Sequence, residues 1–278
     1  LFCVKTSVKV GGDIMSQAIS NLAVGSKIKI GTYSVEGSTS EPIIWMKLDE
    51  NHYKDSNNPS ILDHVTLIMD KIIDLRGLDS LESSNTDANR QSYGNNYYQL
   101  SNLDQWLNSS GSANSWYVTS HSADESPIDL GFSGSACGYN DIQGFLKNFT
   151  TYELSKLIDT NISVIIPSID DTSNSTIEVI SRKVFSPSKT EIGLTDEVSG
   201  TPEGTSFSYF SSDVLRTATL TEQAYNNTTS TLKPALITDT WYYWLRTPER
   251  DSSYYQRLCL ADGTDTVNYE MPYTNGIG

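Results

Sequence analysis

Cysteine, histidine and basic residues are scarce in this chain, and each scarcity removes a class of function. Only three cysteines and three histidines occur in 278 residues. Cys3, Cys137 and Cys259 cannot all pair with one another, and no C-x-x-C spacing exists for zinc or dithiol chemistry. They are expected as free, mostly buried thiols. Lys and Arg total 19 against 34 Asp and Glu, a formal net charge of −15. A protein that neutralises phosphates needs basic density, so neither nucleic acid nor an anionic membrane surface is an expected partner. No apolar run approaches the ~20 residues of a membrane span; the longest are stretches such as Leu67–Met69 and Val164–Ile166.

Uncharged polarity takes the place of charge. The chain carries 39 Ser, 27 Thr, 19 Asn and 16 Tyr. The acidic excess is spread along the sequence rather than gathered in a tail, which reads as solubility. The length suits one large domain, or one domain with an appendage, able to bury a core without staples. Because the sequence opens on Leu1, and Leu1–Val4 is too short for a signal-peptide apolar region, it reads as a piece of a longer product or an incompletely read one.

Periodicity gives the outline. Met15, Ala18, Ile19 and Leu22 have helical spacing, and residues 1–24 are expected as a helical, tethering segment before a main domain over 25–278. Lys27–Tyr33 and Pro42–Leu48 read as strands joined through Gly37–Ser40, and Val65–Ile73 as a central strand. Asp79–Gly94 reads as a polar loop. Ser101 is placed to cap a helix bearing Leu103, Trp106 and Leu107 on one face. A further helix is expected over Asp141–Phe149, followed by a capping box of Thr150 and Glu153. Asn161–Pro167, Val179–Phe185, Thr240–Arg246, Arg257–Ala261 and Thr266–Met271 read as strands. The expected class is α+β, mostly antiparallel sheet with a few packed helices and long loops.

Trp241–Pro248 (W-Y-Y-W-L-R-T-P) resembles the W-W-L-R-S-P signature of a bacterial and phage domain family of unknown function. Gly25–Tyr33, Pro42–Leu48, Ser101–Asn108, Lys183–Gly193 and Asp262-Gly263 resemble further landmarks of that family, in the same order. The resemblance implies a C-type-lectin-like or formylglycine-generating-enzyme-like fold, often used as a displayed binding module. It also implies structural roles for Trp45, Trp106, Trp244 and Arg246, with Arg246 paired to a carboxylate. Two departures stand out. Asp104 occupies the family's Arg position in the S-x-L-R-x-W-L-N helix, which undercuts a shared salt bridge there. The chain also stops at Gly278, where a terminal R-P-A would begin, so a C-terminus beyond it is expected.

No convergent catalytic set is visible. His52, His64 and His121 sit in unrelated polar contexts, and Cys259 lies inside a strand pattern. Asp170-Asp171 and Asp262/Asp265 are the candidate calcium carboxylates. The E-P-N and W-N-D sugar-calcium motifs are absent, so no metal and no cofactor are expected. The displayed surface is expected after the W-Y-Y-W-L-R-T-P strand: Arg250, Asp251, Ser253, Tyr254, Tyr255, Gln256, Asn268, Tyr269 and Tyr273. Tyr gives contact area at low entropy cost, and Ser and Asn give adaptable hydrogen bonds. Asn95–Tyr98 is a second, weaker patch. The functional expectation is a non-enzymatic module on a phage virion surface, a head fibre, capsid decoration or tail tip. It would oligomerise with itself, sit among other virion proteins and bind a host-surface glycan or protein. A bacterial surface or secreted adhesin is the alternative, and a formylglycine-generating-type enzyme a third.

Overall fold

The computed structural model describes residues 1–5, 9–10, 17–133, 138–264 and 269–278. The chain runs through strands β1 (Phe2–Lys5), β2 (Lys9–Val10), β3 (Gln17–Ala18), β4 (Lys27–Tyr33), β5 (Glu41–Glu50) and β6 (His64–Met69). Helices α1 (Ala88–Tyr93), α2 (Asn102–Leu107) and α3 (Thr151–Leu154) follow, then β7 (Leu157–Ile158), β8 (Thr160–Ile165) and β9 (Ile177–Arg182). Next come α4 (Asp213–Arg216), β10 (Ala218–Thr219) and α5 (Glu222–Asn227). Strands β11 (Thr240–Trp241), β12 (Tyr243–Pro248), β13 (Gln256–Cys259) and β14 (Tyr269–Glu270) complete the chain. The class is α+β: every described strand pair is antiparallel, and the helices are short.

The largest sheet has the order β4-β5-β6-β1-β7. Its edge strand shows why the sequence folds this way. In β4, Lys27 and Lys29 face solvent while Ile28, Ile30 and Tyr33 are buried, the period of two that a half-buried strand requires. The register with β5 shifts between Lys29 and Thr32, at Gly31, whose φ of 72° favours glycine. The freed Gly31 amide donates to the Glu153 carboxylate at 2.9 Å. Glu153 is also the far member of the Thr150 capping box, so this bulge and α3 hold each other.

Aromatic side chains fill the core behind the sheet. Trp45 is fully buried, with Phe2 edge-on at 4.2 Å and its indole N–H on the Ile30 carbonyl at 2.8 Å. The indoles of Trp106 and Trp244 likewise donate to the carbonyls of Gln143 and Arg76. These three buried Trp side chains thus satisfy their one polar atom.

Four expectations change. Over 15–22 there is no α-helix among the described residues: Gln17–Ala18 pairs with Lys9–Val10, and Ile19–Asn21 is a single 3-10 turn. Met15 lies outside the described residues. The first residues of the expected tether are a strand inside the main sheet, Phe2–Lys5, paired on both sides with β6 and β7. The helix expected over Asp141–Phe149 is reduced to a 3-10 turn at Phe145–Asn148. The reason is competition for donors: the amides of Gly144 and Leu146 bond the carbonyls of Gly111 and Ser109 across the chain instead. Finally, Asp79–Gly94 is not loop throughout: Ala88–Tyr93 forms α1, and Asp79, Ser80, Glu82 and Arg90 turn inward and are buried.

Two ion pairs, each on a buried carboxylate, tie the remaining elements together. Ser101 caps α2 by accepting from the Asp104 amide, and the Asp104 carboxylate holds Arg182 of β9 at 2.6 Å. The acid at the departed family position therefore makes a salt bridge of its own. Arg246 of β12 and Glu191, both without solvent exposure, form a two-pronged pair at 2.6 and 2.7 Å.

Beside this second pair, Glu203 accepts from the Ile165 amide and the Thr247 hydroxyl. Burial pushes its carboxyl up to about 7 against the pull of Arg246. A carboxyl raised on folding stabilises fully below its ordinary value of 4.5 and loses that contribution as pH rises through 7. Burial and Glu82 raise Asp79, and the hydrogen bond to Glu82 raises His121, so both act in the same direction. The melting temperature is therefore expected to fall between pH 5 and pH 8. Glu203→Gln should remove on the order of 2 kcal/mol of that fall. A wild-type melting profile that rises over the same interval would contradict the assignment.

Candidate functional site

The sequence between β12 and β13 turns back on itself, with Pro248 opposite Gln256. Inside the turn, the Glu249 amide bonds the Tyr255 carbonyl at 2.8 Å and the Ser252 amide bonds the Glu249 carbonyl at 3.2 Å. These bonds throw Tyr254 and Tyr255 to one side. Tyr269 arrives from β14, which pairs with β13, and Tyr273 from the segment after it. Tyr93, at the end of α1, completes the group.

The five rings form a ladder. Tyr273 and Tyr93 lie 5.6 Å apart between ring centres, Tyr93 and Tyr254 5.1 Å, Tyr254 and Tyr255 4.2 Å, and Tyr255 and Tyr269 3.9 Å. The Arg257 guanidinium closes the far end, 5.7 Å from the Tyr269 ring. Tyr269 is 38% exposed and the other four are half-buried. The rings cover one another's faces, so the ladder presents edges and hydroxyls. Among the described residues, the Tyr254 and Tyr255 phenols bond only each other, which pushes Tyr254 up to about 12.

A buried layer fixes the ladder from beneath. Asn96, fully buried, points its side-chain amide at the carbonyls of Glu249, Ser252 and Tyr255, at 3.3, 3.0 and 2.9 Å. Arg90 donates to the Ser253 carbonyl at 2.9 Å and to both oxygens of Asp170. The Ser253 hydroxyl donates to Asp87, the residue that caps α1. Deeper still, Asp79 accepts from the Asn95 and Asn102 amides, and Glu82 accepts from the Asn95 side chain. His121 sits 2.7 Å from Glu82.

These contacts re-sort the expected site residues. Tyr254, Tyr255, Tyr269 and Tyr273 come together, and Asp251 is exposed beside them. Ser253 and Gln256 are not displayed: Ser253 is buried on α1, and the fully buried Gln256 donates to the Leu245 carbonyl. Arg250 is bound to Asp171 at 2.8 Å. Asn268 lies outside the described residues. Asn95–Tyr98 is no second surface but the buried support of the first. The calcium candidates Asp170 and Asp171 are occupied by Arg90 and Arg250, and Asp262 by Thr264. Among the described residues, no cluster of three or more His, Cys, Asp or Glu side chains is arranged to hold a metal.

Sequence reasoning missed Tyr93 as a ladder ring and Asn96 as its anchor. Neither carries a local signal, since their partners lie some 160 residues away in sequence. The strand expected over Thr240–Arg246 is not continuous. The strand is interrupted at Tyr242, whose carbonyl instead accepts from the Gly278 amide. A separate, mostly apolar cleft of about 280 Å³, lined by Met46, Ile68, Leu103, Phe210 and Trp244 among others, contains none of the ladder residues.

Residues 63–277 match the model of a family described as Domain of unknown function (DUF6273). The chain belongs to that family. The DUF6273 region contains the whole ladder together with Asn96, Arg90 and the Arg246–Glu191 pair. Strands β4 and β5 precede the DUF6273 region, yet β5 pairs directly with β6 inside it. No curated protein and no solved structure matches the chain.

Proposed function

We propose that this protein is a non-enzymatic binding module of C-type-lectin-like architecture, displayed on a phage particle and contacting the host surface through the tyrosine ladder. One observation carries the reading. Five half-exposed tyrosines from three separate segments are gathered on one face, and buried polar side chains hold the loop that bears two of them. Rigid aromatic side chains with polar edges are what contact surfaces use, because little entropy is lost when they bind. A rigid loop over a buried polar anchor lowers that cost further.

The test combines address and contact. Purified particles should contain the protein in a surface-accessible form, and the isolated full chain should bind host cells or an array of host glycans. Tyr254→Ala and Tyr269→Ala should each weaken that binding by about tenfold, the scale of a peripheral aromatic contact. Recovery in a cell envelope instead of a particle would move the address to a bacterial adhesin using the same face. Full-strength binding by both variants would remove the ladder from the contact.

A further inference from the structure

We infer, on the reading that the ladder is a contact surface, that its ligand is an uncharged, hydroxyl-rich glycan and that anionic glycans are excluded. Recognition of a sialyl carboxylate, a sulfate or a phosphate calls for a guanidinium or ammonium with donors to spare. Three arginines lie against the ladder or its loop, and each is already committed to a carboxylate. Arg90 is bound to Asp170, Arg250 to Asp171, and Arg257 grips Glu197 through two bonds of 2.8 and 2.6 Å. Lys189, the fourth cation of this network, holds the same Glu197 at 3.0 Å. An anionic ligand would have to compete with the carboxylate already paired to whichever of these cations it approached.

The local balance of charge adds to this. Around these four cations stand six carboxylates: Asp170, Asp171, Glu197, Glu249, Asp251 and Glu270. Asp251 is exposed, and Glu270 is half-exposed next to Tyr269. The surplus is negative, as it is over the whole chain at −15, so an approaching anion meets repulsion rather than steering.

The rings themselves specify the rest. Their faces are turned to one another, at spacings of 3.9 to 5.1 Å along the four rings from Tyr93 to Tyr269. What remains accessible is a run of phenol edges and hydroxyls; Tyr254 and Tyr255 share one hydrogen bond, and a phenol otherwise both donates and accepts. A polyol offers the matching pattern of alternating donors and acceptors and requires no charge partner.

An array or titration with matched pairs tests this: an uncharged oligosaccharide beside its sialylated or sulfated derivative, presented to the full chain. The uncharged member should bind at least about tenfold more tightly at low salt, and the gap should narrow toward 1 M salt as screening shortens the range of repulsion. Equal or stronger binding of the anionic member overturns the inference and leaves the contact-surface reading standing. Binding of neither member, with Tyr254→Ala indistinguishable from wild type on host cells, overturns both. Binding of neither member with Tyr254→Ala impaired on host cells rejects the glycan and points to a protein ligand.

Discussion

Arg246→Met is expected to lower the melting temperature by roughly 10 °C, the largest single-residue stability loss proposed for this protein. All five guanidinium hydrogens are engaged: with the carbonyls of Ser163, Ser186 and Glu203, and with both oxygens of Glu191. One side chain thus joins β8, the long excursion after β9 and β12. Truncating it leaves Glu191 charged in a site with no solvent exposure, and breaking a buried pair in this way costs about 3–5 kcal/mol. A domain of this size converts each kcal/mol to about 2–4 °C. Adding Glu191→Gln should recover much of the loss, because it removes the stranded charge while keeping an acceptor for the Tyr53 hydroxyl. A single-variant shift below 2 °C in a thermal melt would show that water reaches the site and that the pair is not a buried one.

Asn96→Ala should leave the fold standing and free the loop. Its side-chain amide has two hydrogens for three carbonyls, so the 3.3 Å bond to Glu249 is shared and the other two bear most of the weight. At about 1 kcal/mol each, their loss should speed amide exchange over 249–256 by roughly 30- to 100-fold. The β4–β5–β6 amides should keep their protection. Binding through Tyr254 and Tyr255 should fall with the loop, since the ladder would then have to be ordered at the moment of contact. Unchanged exchange in the loop would mean that the bonds between Glu249, Ser252 and Tyr255 hold it alone.

Where local chemistry suffices, the sequence was legible. The alternation in β4, the Ser101 cap and the Thr150–Glu153 capping box were all readable, because each interaction closes within a few residues. Helical spacing at 15–22 and 141–149 misled for the opposite reason. In the second case, backbone donors found carbonyls 33 to 37 positions away, and periodicity carries no information about such partners. The site followed the same divide. Tyrosines near one another in sequence were readable as a group, whereas Ser253 and Gln256 looked just as polar and lie buried.

Composition, then, set the expectation about partners and pointed to the region that bears the tyrosines. An acidic excess of 34 Asp and Glu over 19 Lys and Arg, no span-length apolar run and a Tyr-rich C-terminal stretch are properties of the sequence, independent of how the chain folds. Only the tertiary structure decided which polar residues face outward. Folding carried Tyr93 to Tyr254 and set Asn96 beneath their loop. It also spent every nearby arginine on a carboxylate, because a buried or half-buried charge is stable only with a partner. The scarcity of basic residues thereby becomes specific: those that exist beside the ladder are already paired.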